Sequence, residues 1–439
     1  MQLGVISSKE IMPDISREFE GFDKKNDHFK VMREDALDIF NKLGFPTLRH
    51  EEWKYTNLKN ISSLPLKFGA AGSPASINKD HVNGFRIAGE DAVVIVFENG
   101  LYNAALSDKM PESIDAINLA DALGSEMVKD HLGQIASPHS ESFVALNTAF
   151  INDGVFIHVQ KDSTHTRPVH IMHISNSGDA AQVTSMRNLV IAEPCSKITI
   201  IESYHSVDNN CRGLINTVTE IVVKENAFVE HVKAQLDADS MNQVNFTQVI
   251  QEKNSTFDTV TVTLSGQLVR NNLHIRLNGV NCTSHLFGLY ILDGSQVVDN
   301  HTLVDHAKPN CFSNELYKGV IGGKASGVFN GKIFVREDAQ KTNAYQSNKN
   351  ILLTDDAQMN TKPQLEIFAD DVKCTHGATT GQMDEEALFY LRARGIGEQS
   401  AKAMLNIAFA SDVLNNIKND ILKENLLNLS VMKLQKNEY

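Results

Sequence analysis

Residues 285–335 read HLFGLYILDGSQVVDNHTLVDHAKPNCFSNELYKGVIGGKASGVFNGKIFV. The runs HLFGLYIL and VFNGKIFV are short, apolar and rich in aromatic and β-branched residues, which suits a pleated strand. Turn residues part them, at Gly294-Ser295 and Lys324-Ala325. Outward from this stretch the same texture holds from about Phe143 to Cys374, through VFIHVQ, VHIMHI, NLVIAE, KITIIESY, FDTVTVTL, LHIRLNG and QLEIF. No apolar period of helix length interrupts these runs. A parallel α/β sheet, which needs crossover helices, is therefore excluded. A polar or Gly residue precedes a small residue at positions 226, 254, 279, 294, 324, 338 and 356. Four of the six intervals are near 15 or 30 residues, and two, about 18 and 25, fit less well. Such spacing suits a β-solenoid, whose coils stack on their neighbours, or a sandwich. Asn, Asp and Gly turns without regular hairpin signals favour the β-helix.

The chain on either side reads differently. Residues 1 to about 65 are expected to be mainly helical: Asp35, Ala36, Leu37, Ile39, Phe40 and Leu43 share a face that ends at Gly44 and Pro46. Trp53, the only Trp, and Tyr55 are expected to plug this region onto the next. Residues 66–90, rich in Gly, Ala, Ser, Pro and Asn, read as a linker. VVIVFENG, Val93 to Gly100, is the first clear strand and closes on an Asn-Gly turn. Residues 108–133 read as a polar helical insertion, and the chain after Met383 reads as helical, ending in a polar tail that frays. The expected division is a helical domain and linker over 1–90, a β-helix core over 91–380 and a C-terminal helical domain over 381–439.

The chain has 439 residues and a formal net charge of -13, without a long Lys/Arg block. That argues against nucleic acid and against an anionic membrane surface as the main partner. No apolar run is long enough to span a membrane, and MQLGVISSKEIMPDISREFEGF does not read as a signal peptide. The five cysteines, at 195, 211, 282, 311 and 374, form no CxxC. A disulfide framework is not expected, and a reducing cytoplasm is.

Cys374 and His376 stand two apart in a β-like stretch and so point the same way. A thiol and an imidazole are a soft-ligand pair for iron or an iron–sulfur cluster. Two donors cannot complete four-coordinate iron, so the rest would come from another subunit or from small molecules. The other reading is a core Cys beside a hydrogen-bonded His. A helix follows, with Asp384 as N-cap, Glu385 and Glu386 in its first turn and Gly395 after its end. A second helix starts near Glu398, with Ala401, Met404, Leu405, Ala408 and Phe409 in one apolar stripe. The stripe can cap the solenoid or dock on a partner helix-in-groove. Leu388 and Leu391 of the first helix join it as candidate partner-binding residues.

The segment KCTHGATTGQMDEEALFYLRARGIGEQSAKAMLNIAF resembles the C-terminal signature of the SufB/SufD family of iron–sulfur cluster assembly proteins, and its CTHGAT form resembles the SufD branch. RHEEWKYTNL, Arg49 to Leu58, is a further SufD-like feature. The resemblance implies a right-handed parallel β-helix between helical terminal domains. It also implies a non-enzymatic scaffold that binds the SufC ATPase through the C-terminal helices and pairs with SufB, or with a second copy of itself. It places His376 at the interface where a transient iron or cluster is assembled, with Cys374 beside it. The cluster would be shared with SufB, and the chain alone need hold none. SufB proteins carry a scaffold cysteine in a segment matching AYQSNKNILL, where Ser347 stands here. Serine is a poor soft-metal ligand, so the partner would supply the primary thiol.

Remaining motifs read as structural. Cys195, Cys211, Cys282 and Cys311 have no ligand-like spacing. His301 and His306, five apart with Asp299 and Asp305 nearby, face opposite ways in a strand, as do His170 and His173. Gly322 to Gly327 lacks the order of a phosphate-binding loop and reads as a turn. Two rival classes are a carbohydrate-active β-helix enzyme, which would need a groove of acidic residues, and a metal-free adaptor.

Overall fold

The computed structural model describes residues 14–22, 29–69, 77–112, 114–139, 141–176 and 181–436. The readings of residues 1–13, of part of the linker (70–76) and of the last three residues lie outside these.

From Val155 the chain climbs a parallel β-solenoid. Successive strands alternate between two ten-stranded sheets, and each pairs in parallel with the strand two places on. Ser326–Val335, for example, lies in unbroken register between Val297–His306 and Gln358–Ile367. A connection to the next strand of one sheet passes through the other sheet, the crossover that twisted strands close right-handed as a rule. The fold is the expected β-helix.

The corners explain the repeat. Cys195, Asn226, Asn254, Asn281, Asn310 and Lys341 all have φ near +60°, one to a coil, 27 to 31 residues apart. Gly294 and Gly323 serve the opposite corner at φ +60° and +57°. The spacings near 15 and 30 mix these two corners, and the left-handed residue is Asn281 rather than Gly279, and Lys341 rather than Asp338.

Side chains alternate between lumen and outer face. In Thr283–Leu292, Leu286, Tyr290 and Leu292 face the lumen, and Phe287, Leu289 and Ile291 face outward. Both faces are covered, so the strands read as near-continuous apolar runs. The N-terminal helices, including α1 (Lys30–Leu43), cover the outer face of one sheet, with Phe40, Trp53 and Ile61 on Val183, Leu214 and Leu268. Trp53 stacks on Phe143 at 5.4 Å and under the Arg270 guanidinium at 3.9 Å, so the plug forms. Tyr55 takes no part in it and is exposed. The antiparallel hairpin after Val93–Glu98 turns on Asn99 and Gly100, as the Asn-Gly pair predicts.

Three sequence expectations change. Residues 108–133 contain a strand, Ile114–Asn118, antiparallel to Val155–Val159, besides two short helices. The stretch after Phe143 opens with α2 (Ser142–Ala149), buried from Phe143 to Ala149, before the first core strand. The C-terminal helices α3 (Glu385–Ala393), α4 (Glu398–Leu414) and α5 (Asp420–Lys436) do not cap the solenoid. Ala410, Val413, Leu414, Leu422 and Leu426 lie along the flank of the second sheet, on Val232, Val262, Leu289 and Val320. That flank is apolar and wide, and burying it outweighs covering one coil end. Among the described residues no helix is long and apolar enough to cross a membrane.

Candidate functional site

The last solenoid strand, Lys373–Gly381, is an edge strand with one neighbour, Asn343–Leu352. Its register sets Cys374 on Ala344, His376 on Gln346 and Gly377 on Ser347. Cys374 packs with Ile333, Val335 and the buried Ala344, and Asn350 reaches Thr380 at 3.4 Å. Residues 374, 376, 378 and 380 therefore share the lumen face. No further coil follows, so Cys374 is half-buried and His376 is exposed. Burial raises the Cys374 thiol pKa. The two soft donors thus sit side by side at an open mouth. Among the described residues no group of three or more His, Cys, Asp or Glu converges to hold a metal ion. Cys374 and His376 alone leave a four-coordinate sphere two donors short among the described residues. Ser347 lies on the opposite side of its strand from Gln346, away from the lumen.

Beneath the mouth the lumen is polar. Gln346 Nε2 donates to Glu315 Oε2 at 2.8 Å, and Asn348 Nδ2 donates to the Tyr290 hydroxyl at 3.2 Å. Burial pushes the Glu315 carboxyl up to about 7. Deeper in, Glu202 meets His231 at 3.1 Å, Lys233 at 3.4 Å and the Tyr204 hydroxyl at 2.5 Å. Burial works to raise the Glu202 pKa, yet Lys233, His173 and His231 hold it well below the usual carboxylate range. Sequence reasoning passed over this cluster. Its signal is the alternation His231, Lys233, Gln235 between Val232 and Ala234. The polar set is the lumen face, and the apolar set faces outward under the C-terminal helices.

Asp384 caps α3, accepting from the backbone of Glu386 and Ala387 at 2.9 and 3.1 Å, and Gly395 follows at φ +89°. Helix α3 has no buried residue: Phe389 and Tyr390 are 73% and 58% exposed, and Leu388 and Leu391 are half-buried. The expected stripe of α4 splits. Ala401 is buried, Met404 and Ala408 are exposed, and Leu405 and Phe409 are half-buried. Phe409 packs at the flank beneath the Lys318 ammonium, 4.2 Å from its ring. A cavity of about 540 Å³ separates α3 and α4 from the turn Leu352–Asp355.

The other motifs fall as expected for structure. His301 faces outward and meets Asp299 at 2.9 Å and Glu52 at 3.3 Å, and His306 faces inward and meets Ser313 at 2.9 Å. His170 pairs with Ser203 on the outer face, and His173 stacks on Tyr204. Residues 322–325 form a coil corner, and Ser326 and Gly327 open the next strand. Cys282 and Cys311 do come together on adjacent coils, both donating to the Gly279 carbonyl, at 3.2 and 3.3 Å. They are 29 residues apart in sequence, so only the coil length could have shown it.

Comparison with known proteins gives the geometry a context. Residues 173–409 match the family model described as SUF system FeS cluster assembly, SufBD core domain, and residues 21–171 match the SufBD protein N-terminal region. An iron–sulfur cluster assembly SufBD family protein of Synechocystis is 33% identical over 88% of this chain and 86% of its own length. The iron–sulfur cluster assembly protein SufD of Escherichia coli is 31% identical over 88% of both chains. A chloroplastic protein of Arabidopsis thaliana, ABCI7, is 30% identical over 90% of this chain and 84% of its own.

Proposed function

The chain belongs to the SufB/SufD family of iron–sulfur cluster assembly proteins, and from that premise we propose that it is the SufD-type subunit of a SufBCD complex. It pairs with SufB, carries SufC, and catalyses no reaction of its own. The observation that carries this reading is the open mouth. A thiol and an imidazole share the lumen face of an edge strand paired on one side only, where a second solenoid can dock and supply the missing donors.

Iron and sulfide are cargo here. His376 supplies a neutral ring nitrogen to incoming iron, and Cys374 supplies a thiolate once its raised pKa is overcome by the metal. SufB contributes the scaffold thiol that Ser347 cannot. The SufC ATPase docks on the exposed face of the hairpin, through Leu388, Leu391, Met404 and Ala408, with Phe389 and Tyr390 as added aromatic anchors. Ala401, Leu405 and Phe409 support that surface from within. The cavity beneath the hairpin leaves room for it to shift when SufC closes on ATP. That shift opens the SufB contact and exposes the mouth. The reaction belongs to the cytoplasm, where thiols stay reduced.

Co-expression with SufB and SufC of the same organism, followed by light scattering, tests the partners. A complex that forms with the full chain and is lost when residues 385–409 are deleted supports the reading, and no complex under any condition overturns it. His376→Ala tests the chemistry. Loss of cluster assembly with the complex intact supports ligation. Unchanged assembly overturns it and leaves the metal-free adaptor.

A further inference from the structure

Gln346 carries an acceptor that the last coil leaves without a donor. We infer that Gln346, anchored by Glu315, is a positioning residue that orients the His376 ring, an inference that rests on the reading of His376 as a ligand.

Glu315, Gln346 and His376 form one column on three successive strands. In-register side chains of neighbouring strands stand about 4.8 Å apart. Gln346 is 3% exposed, and its Nε2 donates to Glu315 Oε2 at 2.8 Å. Glu315 Oε2 accepts from that amide N–H group, and the amide oxygen therefore faces elsewhere. That oxygen, Gln346 Oε1, is buried without a partner. Across the lumen stands Gly331, where a Cβ would meet Gln346 Nε2 at 2.4 Å and Cδ at 2.8 Å. The amide fills the room that the missing side chain leaves.

The next residue of the column toward the mouth is His376, a side chain with a ring N–H to give. A ring that donates one N–H to Gln346 is fixed in a single neutral tautomer. Its other nitrogen then presents a lone pair, which a ligand to incoming iron requires. The carboxylate sets the amide, the amide sets the ring, and the ring meets the metal.

The test uses the full-length, metal-free protein with ¹⁵N-labelled histidine, the His376 signals being assigned by their loss in His376→Ala. Wild type is expected to show one neutral His376 tautomer and Gln346→Leu a mixture. The exchange Glu315→Gln with Gln346→Glu, which keeps one carboxyl and one amide in the column, is expected to restore the single form. Thermal midpoints of each variant separate unfolding from loss of orientation. Equal tautomer populations in wild type and Gln346→Leu overturn the inference. Cobalt(II) uptake, followed by its thiolate and imidazole absorption, gives the second readout, with affinity in Gln346→Leu expected to fall about 10- to 100-fold. Equal uptake in both overturns the positioning role. No uptake by wild type overturns the ligand reading instead, and the tautomer result still decides the inference.

Discussion

Asp237 is buried, and its carboxylate accepts from Gln243 and, at 3.3 Å, from Ser206. Burial raises it to about 7, against about 3.9 in an unfolded chain. Between those values the folded state keeps a proton that the unfolded state has released, so its contribution to stability falls as pH rises from about 4 to 7. Asp237→Asn removes that loss. We expect a higher thermal midpoint than wild type at pH 8 and a gain that vanishes toward pH 4, from a term of at most about 4 kcal/mol; equal midpoints at pH 8 would refute the burial argument. Histidines act with the opposite sign. Burial holds His170 and His205 near 3, and His274 and His306 near 4. Their folded pKa values are depressed, so their contribution is lost as pH falls below about 6.5. They drive acid unfolding together with Glu202 and Asp299, whose depressed carboxyl groups lose their stabilisation at still lower pH. At this scale much was legible in the sequence. The period of two places Cys374 with His376 and sets His301 against His306 in any strand. It does not say which face is the lumen, because both faces of most strands are covered.

At the scale of the element, the corner is where sequence and coil constrain each other most closely. Asn226, Asn254 and Asn281 stack with φ near +60°, and the amides of Asn254 and Asn281 each donate to the Asn one coil earlier at 3.0 Å. Asn254→Gly keeps the backbone free and loses only the ladder bonds, about 1 kcal/mol. Asn254→Ala loses the bonds and also carries the left-handed penalty of about 1–2 kcal/mol. Denaturant unfolding should therefore rank wild type above Gly and Gly above Ala, and the reverse order of the two variants would remove the corner's backbone from the account. Asn and Gly corners could be seen in the sequence because those residues tolerate φ > 0. Cys195 and Lys341 could not, because there the coil imposes a conformation that the residue type does not announce. Helix α2 escaped for another reason. It is buried on every side, so FVALNTA carries no amphipathic period to distinguish it from a strand.

On the scale of the molecule, the solenoid edge left open among the described residues is its C-terminal coil. Antiparallel strands cover its first edges, and helices cover both flanks. The last coil keeps unpaired backbone on Gln358–Ile367 and Lys373–Gly381, with Tyr345, Ile367 and Phe368 40%, 39% and 60% exposed. An uncovered edge with apolar flanks is a pairing surface. Of the two readings the sequence allowed for the C-terminal helices, a cap on the solenoid end is not the one formed, because they lie along the flank and leave this edge open. We expect the isolated chain to show a concentration-dependent dimer by light scattering. Ala378→Arg with Thr380→Arg, which places two charges on the open lumen face, should shift it to monomer without lowering the thermal midpoint. A wild type that stays monomeric over the same range would argue against pairing at this edge. If SufB docks on the same coil, the two associations exclude each other. Adding SufB should then dissolve the dimer into one-to-one pairs, and the double Arg variant should lose both. A species holding two copies of this chain joined to each other and to SufB would place the two contacts on different surfaces, and would leave the open coil free for only one of them.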